Sequence, residues 1–165
     1  MLYRPAANLK TLTAIVVTLV ILLVFAFSGA LFRFWPTSWP DEPVEVTPAA
    51  LAKLQTLRQQ PKFNPDPRVH YPGAPSELVR RAAELRVNGT IDALLAGLPT
   101  KRRKSFILSS FKAVLISFDH FDSEERDRLN WYLEEIMDIV GVRNSNELLN
   151  VWRYGLPYGW LTPSA

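Results

Sequence analysis

From Thr11 to Phe32 the chain runs for 22 residues without a charge, and 14 of them are Leu, Ile, Val or Phe. A run like this has no polar face. As a helix it would be about 33 Å long, against a hydrocarbon core of roughly 30 Å, so it predicts one transmembrane helix over residues 11–33. A helix buried in a water-soluble domain would usually keep a polar stripe. Ser28-Gly29-Ala30 leaves a second reading open, a cleavage site behind a secretory signal. Against it, the run exceeds the usual signal core, and Arg33-Phe34-Trp35 follows at once. Trp35 and Trp39 stand where an aromatic belt would meet the membrane boundary.

The pattern then changes. Residues 34–47, FWPTSWPDEPVEVT, hold prolines at 36, 40 and 43, which forbid a helix and predict a semi-rigid stalk. At about 3.1 Å per residue it could hold a domain roughly 40 Å off the bilayer. Thr47-Pro48 then reads as a helix start, and Leu51, Leu54 and Leu57 form one stripe before Pro61. Residues 61–75 contain five prolines and a glycine, which predicts a long stiff loop. Leu78, Val79, Ala82 and Leu85 mark a helix expected to stop at Asn88-Gly89, with Thr90 capping a short continuation. Ile107, Phe111, Val114, Leu115 and Phe118 give a wide face to a helix expected over 100–118. Asp122 with Glu125 reads as a capping box ahead of Leu129, Leu133, Ile136 and Val140, with Gly141 as the stop. Asn144 with Glu147 repeats the box before Leu148, Leu149 and Trp152, and Gly155 closes that helix. No stretch alternates with period two, so the fold class is all-α. The expected layout is a cytoplasmic segment (1–10), the membrane helix, the stalk, and a helical domain of five to six short helices over 48–165.

Charge sharpens the division. The chain carries 19 basic and 16 acidic residues, a net +3, with an isoelectric point near 9.3. Arg4, Lys10 and Arg33 flank the apolar run, so the remainder is formally neutral and a nucleic-acid partner loses its electrostatic support. Two basic side chains before the run and one after it orient the N-terminus to the cytoplasm. In a bacterium the anchor then lies in the inner membrane and the domain in the periplasm. Cysteine is absent, which excludes disulfides and thiolate metal sites.

Little in the chain carries chemistry. There is no phosphate-binding loop, no dinucleotide glycine pattern and no nucleophile elbow, and no cofactor is expected. His70 and His120 are the sole histidines, and neither has a second ligand four residues on. Asp119, His120 and Asp122 suit a capped surface turn, with a general base or metal site as the alternative. Glu134, Glu135 and Asp138 suit a solvated helix face better than an acid–base pair. Lys101, Arg102, Arg103 and Lys104 form the sharpest charge cluster, able to touch phosphate on a lipid or an acidic group on a partner. Four cations there would oppose a helix dipole. Asn88-Gly89-Thr90 is formally a glycosylation sequon. Trp152, Tyr154, Tyr158 and Trp160 crowd the C-terminal stretch, where aromatics serve either packing or recognition.

The run Tyr132-Leu133-Glu134-Glu135-Ile136-Met137-Asp138-Ile139-Val140-Gly141, followed by Leu149-Asn150-x-Trp152-x-Tyr154-Gly155, resembles an uncharacterised bacterial family of small helical domains. Lys62-Phe63 and Tyr71-Pro72-Gly73 fit the same resemblance, which covers roughly 50–156. It implies a helical fold and a bacterial origin, with no assigned catalysis. Asn144-Ser145-Asn146 departs from the more acidic or glycine-containing turn expected there. The expectation is a membrane-anchored, periplasm-facing interaction domain, an immunity-type inhibitor or an envelope-complex accessory. It would bind another protein through Phe63, His70, Tyr71, Trp152, Tyr154, Tyr158 and Trp160. The alternative is an envelope hydrolase working through His120 and Asp122.

Overall fold

Helical spacing becomes six α-helices and no strand among residues 9–26 and 32–156, the part of the chain that the computed structural model describes. They are α1 (Leu9–Ala26), α2 (Pro48–Gln59), α3 (Glu77–Gly97), α4 (Lys104–Ser117), α5 (Ser123–Val140) and α6 (Leu148–Tyr154), with a 3₁₀ turn at Pro67–Val69. The all-helical expectation holds. The expected membrane span does not gain the same support. At 18 residues α1 is about 27 Å long, and no helix among the described residues is long and apolar enough to cross a membrane. Residues 27–31, into which the apolar run continues, lie outside the described residues, as do 1–8 and 157–165.

The stripes expected on α2, α4, α5 and α6 build the core, but the one expected on α3 does not. Leu78 and Leu85 are 80% and 72% exposed, and Ala83, Val87, Ile91 and Leu94 face inward instead, because packing against α2 and α4 selects the other face of that helix. α3 packs on α2 and α4, α5 closes over α2 and α3, and α6 covers α4 and α5. Leu54, Ile91, Leu94, Ile107, Phe111, Leu115, Leu129, Leu133 and Ile136 are fully buried between them. Each such side chain contributes about 1.5–3 kcal/mol of burial. Thr47 caps α2 by accepting from Ala50 N at 3.1 Å. At the other end the Lys62 ammonium donates to Leu57 O (2.6 Å) and Gln60 O (2.9 Å), closing that terminus, while burial pulls its pKa down to about 8. Gly141 ends α5 at φ 72°, with its own N–H on Asp138 O and the Val142 N–H on Met137 O, the paired bonds of a Schellman stop.

Several boundaries differ from expectation. α3 runs straight through Asn88-Gly89. A glycine inside a helix costs about 1 kcal/mol, and here Val87, Ile91 and Leu94 on either side are fully buried, which outweighs it. Asn88 and Thr90 are buried within this helix, so the sequon is part of the bundle. Neither capping box forms: Asp122 makes no side-chain cap bond and Glu125 turns inward, while Glu147 sits at φ 61° just before α6.

The proline-rich stalk is also a different object. Residues 32–46 lie down along the bundle as a strap. Proline removes donors but leaves carbonyls, and the domain supplies donors to them: Lys112 Nζ to Trp35 O (2.6 Å), Asn146 Nδ2 to Pro40 O (3.1 Å), Lys104 N to Glu42 O (2.9 Å). Phe32 and Val44 are buried at its two ends. α4 starts at Lys104 because Pro43 and Val44 pair with Arg102 and Arg103 and hold them extended. Asp41 then caps the helix from the strap. Its Oδ1 accepts from Ser105 N at 2.9 Å and its Oδ2 from Arg103 Nε at 2.8 Å. The first of these bonds, more than the second, holds the Asp41 carboxyl below its usual range.

A candidate docking cleft between the loop and the last two helices

The loop after α2 is an ordered piece closed on itself and pinned to α5. Asp66 and Tyr71 exchange backbone bonds at 2.9 and 3.1 Å, and the 3₁₀ turn between them carries Val69 and His70 outward. Phe63, at φ 59°, drives its ring into the core against Phe118 and Tyr132. Its N–H donates to the Tyr132 hydroxyl at 3.1 Å. Gly73, at φ 91°, sits where a Cβ would strike the Pro65 ring.

Besides the Phe63–Tyr132 bond, two side-chain pins fix the loop on α5. Tyr71 donates to Glu125 Oε1 at 3.2 Å, and Arg128 Nη2 donates to Asp66 Oδ2 at 3.2 Å. Arg68 grips the same carboxylate from outside at 2.9 Å. These bonds, Arg68's first, hold the Asp66 pKa near 2. Burial raises Glu125 above its ordinary range, and burial followed by the Glu125 charge raises Tyr71. The Arg128 guanidinium lies 4.3 Å from the Trp131 ring centroid and within 5.4 Å of those of Tyr71 and Tyr132. Its Nε and Nη1 have no acceptor among the described residues.

Above these pins is an open cleft of about 310 Å³ between the loop, α5 and the end of α6. Val69, His70 and Pro72 form one wall, Trp131 and Asp127 the floor, and Arg153 the far rim. Val69 and Trp131 remain 50% and 41% exposed, a large apolar offering for one small cleft. Arg153 pairs with Asp127 at 3.0 Å, so the rim carries both signs of charge.

The residue pattern that built this cleft has relatives. The DUF4844 model, a domain of unknown function, matches residues 45–157. The chain belongs to the DUF4844 family. That match includes the loop, α5 and α6, so the resemblance expected from the Tyr132–Gly141 run holds. No curated protein and no solved structure matches the chain.

Within this DUF4844 domain the residues expected to bind a partner separate. His70 and Tyr71 line the cleft, Tyr71 mostly from beneath. Phe63 is a core residue and offers no surface. Trp152 is buried, with its Nε1 toward Asp119 Oδ1 at 3.4 Å and Arg126 stacked 4.5 Å over its ring. Tyr154 is half exposed beside Arg153, and Tyr158 and Trp160 lie outside the described residues. The basic cluster also divides. Lys101, Arg102 and Arg103 are exposed, Arg103 being paired with Asp41, whereas Lys104 is buried against Asn144 and Asn146 at 2.7 Å each and reaches no outside anion. His120 and Asp122 are exposed in the turn after α4 and line none of the clefts described here. No metal-holding group of His, Asp and Glu occurs among the described residues. Sequence reasoning missed Val69, Arg128 and Trp131. The i, i+3 spacing of Arg128 and Trp131 was the available signal, since it puts both on one helix face.

Proposed function

We propose that this DUF4844 protein is a membrane-tethered, non-catalytic helical domain that docks another protein in the cleft between its loop and α6. One observation carries the reading: His70 and Tyr71 from the loop and Arg153 from α6 border the same open groove, with an exposed Trp131 between them. Aromatic and arginine side chains with a large contact area and few rotors supply most of the binding energy in protein interfaces. α1 supports the tether, because every described side chain on it from Leu9 to Leu23 is exposed, so its apolar faces find no cover on the domain. A bilayer would cover them all. The flanking charges favour a cytoplasmic N-terminus and a periplasmic domain. An immunity-type inhibitor and an envelope-complex accessory both fit this description.

Affinity isolation from detergent-solubilised membranes tests the docking. A partner retained by the wild type and lost from Val69→Asp and Trp131→Ala supports the reading. Equal recovery from all three chains, with their folds intact by circular dichroism, contradicts it.

A further inference from the structure

The strap divides its aromatic residues between two environments. Phe32 is buried with the Lys112 ammonium 6.0 Å from its ring centroid, and Trp35 is half-buried with Nε1 donating to Asn146 O at 3.1 Å. Phe34 and Trp39, their neighbours, are 83% and 79% exposed, the most exposed aromatics among the described residues. They cannot fold back. Trp35 O, Thr37, Pro40 O, Asp41 and Glu42 O are all hydrogen-bonded to the domain, which fixes the backbone that bears them. Two such rings, held out to water on an ordered segment, would each bury about 150–250 Å² if something covered them.

Chain length says what lies close by. Ala26 ends α1 and Phe32 is already docked in the domain, so six residue steps separate them, a reach of at most about 20 Å. A bilayer holding α1 therefore has the strap at its surface, and the domain has no stalk on which to stand away. Phe34 and Trp39 follow the apolar run directly, next to the exposed Arg33, a cation able to meet lipid phosphate. Asp41, the nearest acid, is turned to Ser105 N and Arg103. Amphipathic aromatics at such a boundary settle at headgroup level.

We propose that the strap is a membrane-seating surface: Phe34 and Trp39 insert at the headgroup boundary of the bilayer that α1 enters. The domain is thereby held flat against the lipid in a fixed orientation. This rests on the membrane reading of α1 given above. The absence of cysteine permits a direct test on the full chain. Single cysteines replace Ile15, Phe34, Trp39 or Leu78, the last an exposed site on α3, and carry a nitroxide label in vesicles of phosphatidylethanolamine and phosphatidylglycerol. Collisional access to oxygen against a nickel chelate then reports lipid or water. The expected result is a several-fold higher oxygen-to-nickel ratio at 15, 34 and 39 than at 78. Lipid access at 15 with water-like values at 34 and 39 overturns the seating while leaving the anchor intact. Water-like values at 15 as well overturn both. Circular dichroism of each labelled chain separates these outcomes from misfolding.

Discussion

Replacing Asp66 with alanine removes the carboxylate on which the cleft's loop is pinned. Arg128 is only 9% exposed, and Asp66 is its one ion-pair partner among the described residues. Without it the guanidinium stays buried against three aromatic rings, with no ion pair among the described residues and the Glu135 carboxylate left as a more distant counter-charge. Stripping one partner from a buried pair costs about 3–5 kcal/mol, a large share of the roughly 5–15 kcal/mol that holds a small domain folded. Arg68 touches the same carboxylate, but its side chain is 86% exposed, and an exposed pair contributes about 1 kcal/mol or less. The two substitutions therefore separate. Asp66→Ala should lower stability by about 3 kcal/mol or more, and Arg68→Ala by about 1 kcal/mol at most. Adding Arg128→Met to Asp66→Ala should recover part of the loss, because it removes the stranded charge. Urea unfolding of the detergent-solubilised full chain, followed by tryptophan fluorescence, measures these three variants against the wild type. Equal losses for Asp66→Ala and Arg68→Ala would refute the reasoning, since the buried pair would then be no different from a solvent-screened one.

Three further outcomes follow from the same geometry. Asp66 has a native pKa near 2 against 3.8 ordinarily, so the unfolded chain takes up the proton first as the pH falls. The stability it contributes is complete above about pH 4 and is lost between about 4 and 2, and Asp66→Asn should remove that part of the acid limb in a pH series of urea midpoints. A Cβ at Gly89 meets nothing within 4 Å, whereas one at Gly97 collides with the Phe106 ring. Gly89→Ala should raise stability by up to about 1 kcal/mol, and Gly97→Ala should lower it by about 1–3 kcal/mol, both read from thermal unfolding. Asp41→Ala should cost about 1–2 kcal/mol through the lost cap of α4, and Asp41→Asn less, because an amide oxygen can still accept from Ser105 N; amide hydrogen exchange at the first turn of α4 checks both.

What the sequence made legible was periodicity. The stripes of α2, α4 and α5 are visible as i, i+3, i+4 patterns, and burial follows them, with Leu51 at the start of α2 only partly covered. Three things were not legible. The course of α3 through Gly89 depends on tertiary burial of Val87 and Ile91, which outweighs a local stop signal. The strap reads as a free stalk because prolines advertise the loss of donors, while the donors that answer their carbonyls, Lys112, Asn146 and Lys104 N, stand at least sixty residues away in the chain. The basic cluster reads as an unfavourable helix start because nothing local shows Asp41 arriving to cap it, or the Asn144 and Asn146 amides arriving to take Lys104. In the site, His70 and Tyr71 stood out as chemistry in an unusual loop. Trp131 was hidden because one exposed aromatic on a helix reads as ordinary until Val69 is found across a cleft from it.

Photo-crosslinking from within the cleft, in living cells, tests the central claim most directly. A photoreactive residue at Val69 should give one discrete higher-mass adduct in the membrane fraction, and the same residue at Leu85, exposed on α3, should give none. The absence of any adduct from Val69, or the same adducts from both positions, would contradict a docking cleft.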